Sequence, residues 1–158
     1  MIMRKSICIR VFLLALFLCP SSQSQETTTK FDPLRDAEKD VQAAIARAGQ
    51  THQRILLDVG GEWCGWCHTL DRFFKERNDL TALRDQNFIW VKVNYSPENE
   101  NKALLSRYPE VKGYPHIFVL DEDGKLLHSQ DTSELELGKS YDLEKFFRFL
   151  RKWAPEKK

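Results

Sequence analysis

The 158-residue sequence predicts an α/β domain, a mixed central sheet flanked by helices on both faces. Short apolar runs of strand character alternate with stretches of helical periodicity, in the order helix, strand, helix, strand, helix, strand, strand, helix. Between the last two strands, Asp121-Glu122-Asp123-Gly124 reads as a hairpin turn, so that pair is antiparallel. No internal repeat and no second domain are visible.

The chain opens with Arg4, Lys5 and Arg10 around the apolar run Val11 to Leu18, followed by Ser21, Ser22, Gln23 and Ser24. A basic start, a short apolar core and small residues make up a signal-peptide layout, so residues 1–24 are expected to be removed on export. The apolar run falls short of the roughly 20 residues that span a bilayer. A lipid anchor at Cys19 is the second reading, poorly matched by the bulky Leu18 before it. The leader holds three of the 24 basic residues and none of the 23 acidic ones, leaving 21 basic against 23 acidic. That even balance gives no electrostatic case for nucleic acid or an anionic membrane surface.

Residues 25–32 are expected to form a flexible N-terminal segment, and the domain to occupy residues 33–158. Asp32 as N-cap and Pro33 at the first helical position open a helix over 33–48. Its apolar face is Leu34, Ala37, Val41, Ala44, Ile45 and Ala48, and Gly49 stops it. Residues 54–60 form the first strand, with Ile55, Leu57 and Val59 on one face and Leu56 and Asp58 on the other. Gly60-Gly61 then lets the backbone turn.

A helix from Cys64 to Arg77 directs Leu70, Phe73 and Phe74 to the core, and a short helical turn follows around Leu80 to Leu83. Phe88 to Asn94 is the second strand. Ser96-Pro97 leads into a helix over 98–107 that contributes Ala103, Leu104 and Leu105. His116 to Leu120 is the third strand and residues 125–130 its antiparallel partner. A polar loop through Gly138 reaches the last helix, 142–153, with Leu143, Phe146, Phe147, Leu150 and Trp153 on its core side.

The chemistry concentrates in Glu62-Trp63-Cys64-Gly65-Trp66-Cys67-His68. With Cys8 and Cys19 in the leader, Cys64 and Cys67 are the cysteines left to the mature chain. A disulfide closing so short a loop removes little entropy from the unfolded chain and makes a weak staple. A helix that opens at Cys64 would stabilise a thiolate there with its N–H groups and dipole. Cys67, almost one turn later, would be close enough to resolve a mixed disulfide on Cys64.

In these residues the chain resembles the thioredoxin superfamily, and more closely its exported bacterial members, over roughly residues 50–153. The likeness rests on Glu62-Trp63-Cys64-Gly65-x-Cys67, Asp58 six positions before Cys64, Lys92-Val93-Asn94, Gly113-Tyr114-Pro115 and the Asp-Gly hairpin. The resemblance implies a thioredoxin-like fold, Cys64 as attacking thiolate and Cys67 as resolving thiol. It implies Asp58 as the buried acid that moves the resolving thiol's proton, with Lys92 beside it. Pro115 would be the cis-proline facing the disulfide, with Tyr114 before it aligning a client strand. Trp63, Gly65 and Trp66 would complete the client-binding surface. Trp66 stands where thioredoxin has proline and isomerases have histidine, His68 where lysine is usual, and Tyr114 is larger than its usual counterpart. The direction of electron flow therefore does not carry over.

Cys64-x-x-Cys67-His68 also spells the c-type haem attachment motif. Both methionines, Met1 and Met3, lie in the leader, which leaves His52, His116 or His128 as axial candidates. Zinc or copper on Cys64, Cys67 and a histidine is a further alternative, with no second cysteine pair to close the site. The reading adopted is a thiol–disulfide oxidoreductase of reductase type, without metal or organic cofactor, and exported to the bacterial periplasm. As a monomer it would act on protein thiols and disulfides and be recharged by a membrane or soluble redox partner. The alternatives are a disulfide oxidase or isomerase, or a non-enzymatic client-binding module.

Overall fold

A computed structural model describes residues 30–156; the expected leader, residues 1–24, lies outside the described residues. Four strands build the central sheet in the order β2-β1-β3-β4: β1 is Arg54–Gly60, β2 Phe88–Asn94, β3 His116–Leu120 and β4 Leu126–Asp131. β1 runs parallel to β2 and antiparallel to β3, and β3 runs antiparallel to β4, so the sheet is mixed as expected. Among the described residues five α-helices accompany it: α1 (Ala37–Thr51), α2 (Gly65–Lys75), α3 (Asn78–Asn87), the single turn α4 (Lys102–Leu105) and α5 (Leu143–Trp153). Among the described residues no helix is long and apolar enough to cross a membrane.

Strand alternation sorts the core into two layers. Leu56, Trp90, Ile117 and Val119 point to the face covered by Leu70, Phe73 and Phe74 of α2, Leu80 of α3 and Phe146, Phe149 and Leu150 of α5. Ile55, Leu57, Val59, Val91, Val93 and Phe118 point to the other face, under Val41, Ala44 and Ala48 of α1 and Leu104 of α4. Helices on both faces explain why β1 and β2 are apolar along their whole length rather than alternating. Asp58 and Lys92 interrupt those runs and are nevertheless buried.

Several expectations need correction. Asp32 does not cap a helix; its Oδ1 accepts from the N–H of Leu34 in a local turn, and Asp36 caps α1 instead. Leu34 thereby falls outside the helix and is 93 % exposed. α1 runs past Gly49 and ends where His52 adopts a left-handed backbone (φ 56°) and donates its N–H to Ala48. α3 is ten residues long rather than a single turn, whereas the helix expected over 98–107 shrinks to four residues. The loop before α5 folds into a 3₁₀ turn, Thr132–Leu135, and a small hairpin of β5 (Glu136–Leu137) and β6 (Ser140–Tyr141), which buries Leu135 and Tyr141. On α5, Phe149 is buried while Leu143 is exposed.

Packing also extends to residues before Pro33. Phe31, placed by the sequence in the flexible segment, is 1 % exposed and packs against Cys64 and Cys67. Its backbone N–H donates to Glu62 Oε1 at 2.9 Å, tying the N-terminal segment to the cysteine loop.

Candidate functional site

β1 delivers the cysteine loop to one end of the sheet, where Gly60 and Gly61 carry the chain into the turn before Cys64. Neither glycine has the positive φ that a left-handed turn would need. Close packing is the reason for them. A Cβ on Gly60 would lie 2.5 Å from Cys67 Sγ, and one on Gly61 would lie 2.3 Å from Trp63 Nε1. Glycine is thus what lets the Cys67 sulfur rest on the strand end.

Cys64 is the N-cap of α2, and its Sγ accepts the backbone N–H of Cys67 at 3.1 Å. The two sulfurs are joined as a disulfide across a Cα–Cα distance of 5.2 Å. Cys64 retains 4 % exposure against 1 % for Cys67, so the cysteine at the helix end is the less buried of the two. No residue of the first turn of α2 is acidic, which leaves the positive dipole end unopposed from within the helix.

Beneath the disulfide lies a buried charge cluster. Asp58 and Lys92 are register partners of β1 and β2, and Lys92 Nζ donates to Asp58 Oδ2 at 3.0 Å. The same ammonium donates to Asp71 Oδ1 of α2 at 2.7 Å and stands 3.9 Å from the centre of the Phe31 ring. Burial pushes the Asp58 carboxyl above its ordinary range, against the pull of Lys92. Burial alone would depress the Lys92 ammonium, but the two carboxylates outweigh it and its pKa is raised. Asp58 Oδ1 has no hydrogen-bond partner. Asp58 and Gly60 share one face of β1, so this free oxygen belongs to a residue about 7 Å along the strand from the glycine that underlies Cys67.

The outer face of the site is aromatic. Trp63, 56 % exposed, donates its Nε1–H to the Tyr95 carbonyl at 2.7 Å and meets Tyr114 edge-on at 5.4 Å between ring centroids. Tyr95 stacks on Tyr114 at 5.1 Å, and the Tyr114 hydroxyl is pushed up to about 12, first by burial and then by Tyr95. The Tyr114–Pro115 peptide bond is cis. Gly65 is exposed at the first position of α2. Trp66 is half-buried, packs edge-on against Tyr141 at 5.4 Å, and borders both the helix-covered core and the cluster of Phe31 with the two cysteines.

Each histidine has its own partner. His68 Nε2 meets the Glu62 carbonyl at 2.8 Å, His116 Nε2 meets Ser129 Oγ at 2.8 Å, His52 pairs with Glu122, and His128 stacks on Trp153. Among the described residues, no three His, Cys, Asp or Glu side chains are grouped so as to hold a metal ion.

Three participants escaped the sequence reading. Asp71 sits beside Arg72 on a helix and looks solvated, Phe31 sits alone in a polar segment, and Tyr95 follows a strand end. A lone large aromatic just before Asp32-Pro33 was the one signal available for Phe31.

Comparison with known proteins places these features in context. A family model described as thioredoxin-like matches residues 36–122. The chain is 28 % identical over 117 residues to the thiol:disulfide interchange protein DsbD of Pseudomonas fluorescens, a match covering 73 % of this chain and 18 % of that protein. It is 31 % identical over 74 residues to a protein disulfide-isomerase of Hordeum vulgare, covering 47 % of this chain and 14 % of the relative. The chain thus spans less than a fifth of the length of either relative. Among solved structures, a disulphide isomerase from Xylella fastidiosa Temecula1 is similar at a TM-score of 0.65 and 28 % identity, over 77 % of this chain and 94 % of that one. The oxidised C-terminal domain of Neisseria meningitidis DsbD shares the fold at a TM-score of 0.56 and 20 % identity, over 75 % of this chain and 97 % of that one.

Proposed function

The chain belongs to the thioredoxin-like family, whose thiol–disulfide exchange chemistry it shares, and from that premise we propose that it is an exported reductase of protein disulfides. The observation that carries this reading is the cysteine pair at the start of α2 above a buried, raised-pKa carboxyl.

In the proposed cycle the Cys64 thiolate attacks a client disulfide. A Cys64–client bond forms, the client S–S bond breaks, and the released client thiolate takes up a proton. Cys67 then gives its proton towards Asp58 and attacks Cys64 Sγ, forming the Cys64–Cys67 disulfide and releasing the second client thiolate. Two electrons have passed from the dithiol to the client. Asp58 is the proton acceptor, and Lys92 is a positioning residue that holds its carboxylate. Trp63, Tyr114 and Pro115 form the docking surface, with Gly65 leaving the sulfur unobstructed.

The direction is supported by the charges around the site, two carboxylates about one ammonium. The carboxylates oppose the helix end in stabilising a thiolate, and a less stabilised dithiol is the better electron donor. Export, with residues 1–24 as a removed signal and the bacterial periplasm as destination, is supported by the residue order of that segment. In such a compartment the protein would need a membrane or soluble dithiol donor to return it to the reduced form. Isomerisation is the second reading, favoured by the likeness to the Xylella disulphide isomerase.

Equilibration against glutathione or dithiothreitol tests the proposal. A reduction potential near about −270 mV is expected, whereas one near about −180 mV would favour isomerisation and one near about −120 mV an oxidase. Cys67→Ser should accumulate a mixed disulfide with a client protein and Cys64→Ser should not. The absence of any reversible two-electron couple would end the redox reading.

A further inference from the structure

Beside Trp63 lies a groove of about 560 Å³. Phe31, Trp63 and Tyr95 line it together with Glu62, Glu98 and Glu100. None of the described residues that line it is cationic. We infer that this groove is a client subsite for a cationic side chain, Lys or Arg, carried close to the client's reacting cysteine. The inference rests on the exchange reading above and adds a substrate preference to it.

The choice of occupant follows from charge and shape. Aromatic faces attract a cation, and its aliphatic stem covers apolar wall while the charged head reaches the acidic rim. Two of the three carboxylates have partial partners. Glu62 accepts the Phe31 N–H and lies 3.9 Å from His68, and Glu100 pairs with the exposed Lys102 at 2.6 Å. Glu98 is exposed and meets the Ser96 hydroxyl, which holds its carboxyl below the usual range. It pairs with no cation among the described residues, so it is the carboxylate most available to a client. Asn99 keeps the groove open in shape by donating to the carbonyls of Pro33 and Arg35, which pins the N-terminal turn to the loop after β2.

Trp63, which lines the groove, directly precedes Cys64 in the chain. One or two extended residues of about 3.5 Å each separate a client cysteine in exchange with Cys64 from a neighbour whose side chain would enter. A client segment with acidic neighbours would instead bring like charges together, which gives discrimination as well as affinity.

The test is single-turnover exchange by the reduced full chain with two peptides. Each carries one cysteine as a mixed disulfide with the same small thiol, and they differ only in having Arg or Glu at the positions flanking it. At low salt the Arg peptide is expected to react about tenfold faster, and about 0.5 M salt should remove most of that ratio. Glu98→Lys should invert the preference. Glu122→Lys, at the opposite end of β1 and equal in net charge change, should leave the ratio within about twofold of wild type. A ratio near one in the wild type, or equal responses to the two substitutions, would overturn the subsite while exchange itself continued. Failure of the reduced protein to react with either peptide, and also with uncharged dithiodipyridine, would remove the exchange reading and the subsite together.

Discussion

Asp58 and Lys92 are direct register partners on parallel strands, and their charged groups meet at 3.0 Å in the interior of the domain. Burying such a pair costs more than their attraction returns unless the remaining lone pairs are satisfied, and Asp58 Oδ1 is not. The raised Asp58 pKa is the expression of that cost.

Its sign fixes a stability prediction. With the folded pKa above the unfolded value of 3.8, the native state binds the extra proton, so the contribution is present at low pH and lost as pH rises through the folded pKa. Each pH unit within that window removes about 1.4 kcal/mol. Asp58→Asn should abolish this slope and stabilise the oxidised protein at neutral pH, while slowing the resolution step. Denaturant unfolding over a pH series checks it, and an unchanged slope would assign the titration to another group.

Phe31 caps the same cluster, lying against Lys92 and both cysteines. Phe31→Ala should cost about 3–5 kcal/mol, the range for truncating a buried ring. By admitting water it should also lower the Asp58 pKa and so narrow the pH window seen in the previous experiment. Phe31→Leu, which keeps most of the volume, should retain much of the stability but not the cation–ring contact. If Phe31→Ala were as stable as the wild type, residues before Pro33 would not belong to the folded unit.

Gly60 offers a test of how the oxidised state is packed. An alanine Cβ would press on Cys67 Sγ, which the disulfide holds in place, whereas a free Cys67 thiol can rotate away. Gly60→Ala should therefore destabilise the oxidised form by about 1–3 kcal/mol, the usual cost of overpacking. The couple should become more oxidising by roughly 30 mV for each 1.4 kcal/mol of difference between the two forms. Equilibration against glutathione measures the shift, and no change would mean that the strand end yields instead of the sulfur.

How far such features could be read in advance depended on how local their causes are. β1 and β2 were legible to the residue because each is a mainly apolar run, broken only by Asp58 or Lys92, of strand length. The helix expected over 98–107 misled for an equally local reason, since Ser96-Pro97-Glu98 imitates a helix start. Three asparagines compete there. Asn94 donates to the Asn99 carbonyl, Asn101 donates to the Asn94 carbonyl, and Asn101 adopts φ 47°, so side chains take the place of a helical turn. Helix α3 was under-read because it buries only Leu80 and carries little periodic signal. The packing of Asp71, Phe31 and Trp66 was not legible, because it depends on contacts with residues far along the chain. Trp66 makes its contact with Tyr141, 75 positions away.

Trp63 supplies the last prediction. Its ring is fixed by the bond to the Tyr95 carbonyl and by the edge contact with Tyr114, yet more than half of it faces solvent. An anchored but exposed aromatic beside the reacting sulfur gives a client contact area at little entropic cost, which is the character of an interface hot spot. Trp63→Ala should raise KM for a disulfide-bonded protein substrate by roughly tenfold, about 1.4 kcal/mol, with a smaller change in kcat. Trp63→Phe, which keeps a ring but loses the N–H donor, should fall between the two. Steady-state kinetics of both variants separate docking from chemistry: a fall in kcat with KM unchanged would instead place Trp63 among the groups that set the reactivity of Cys64.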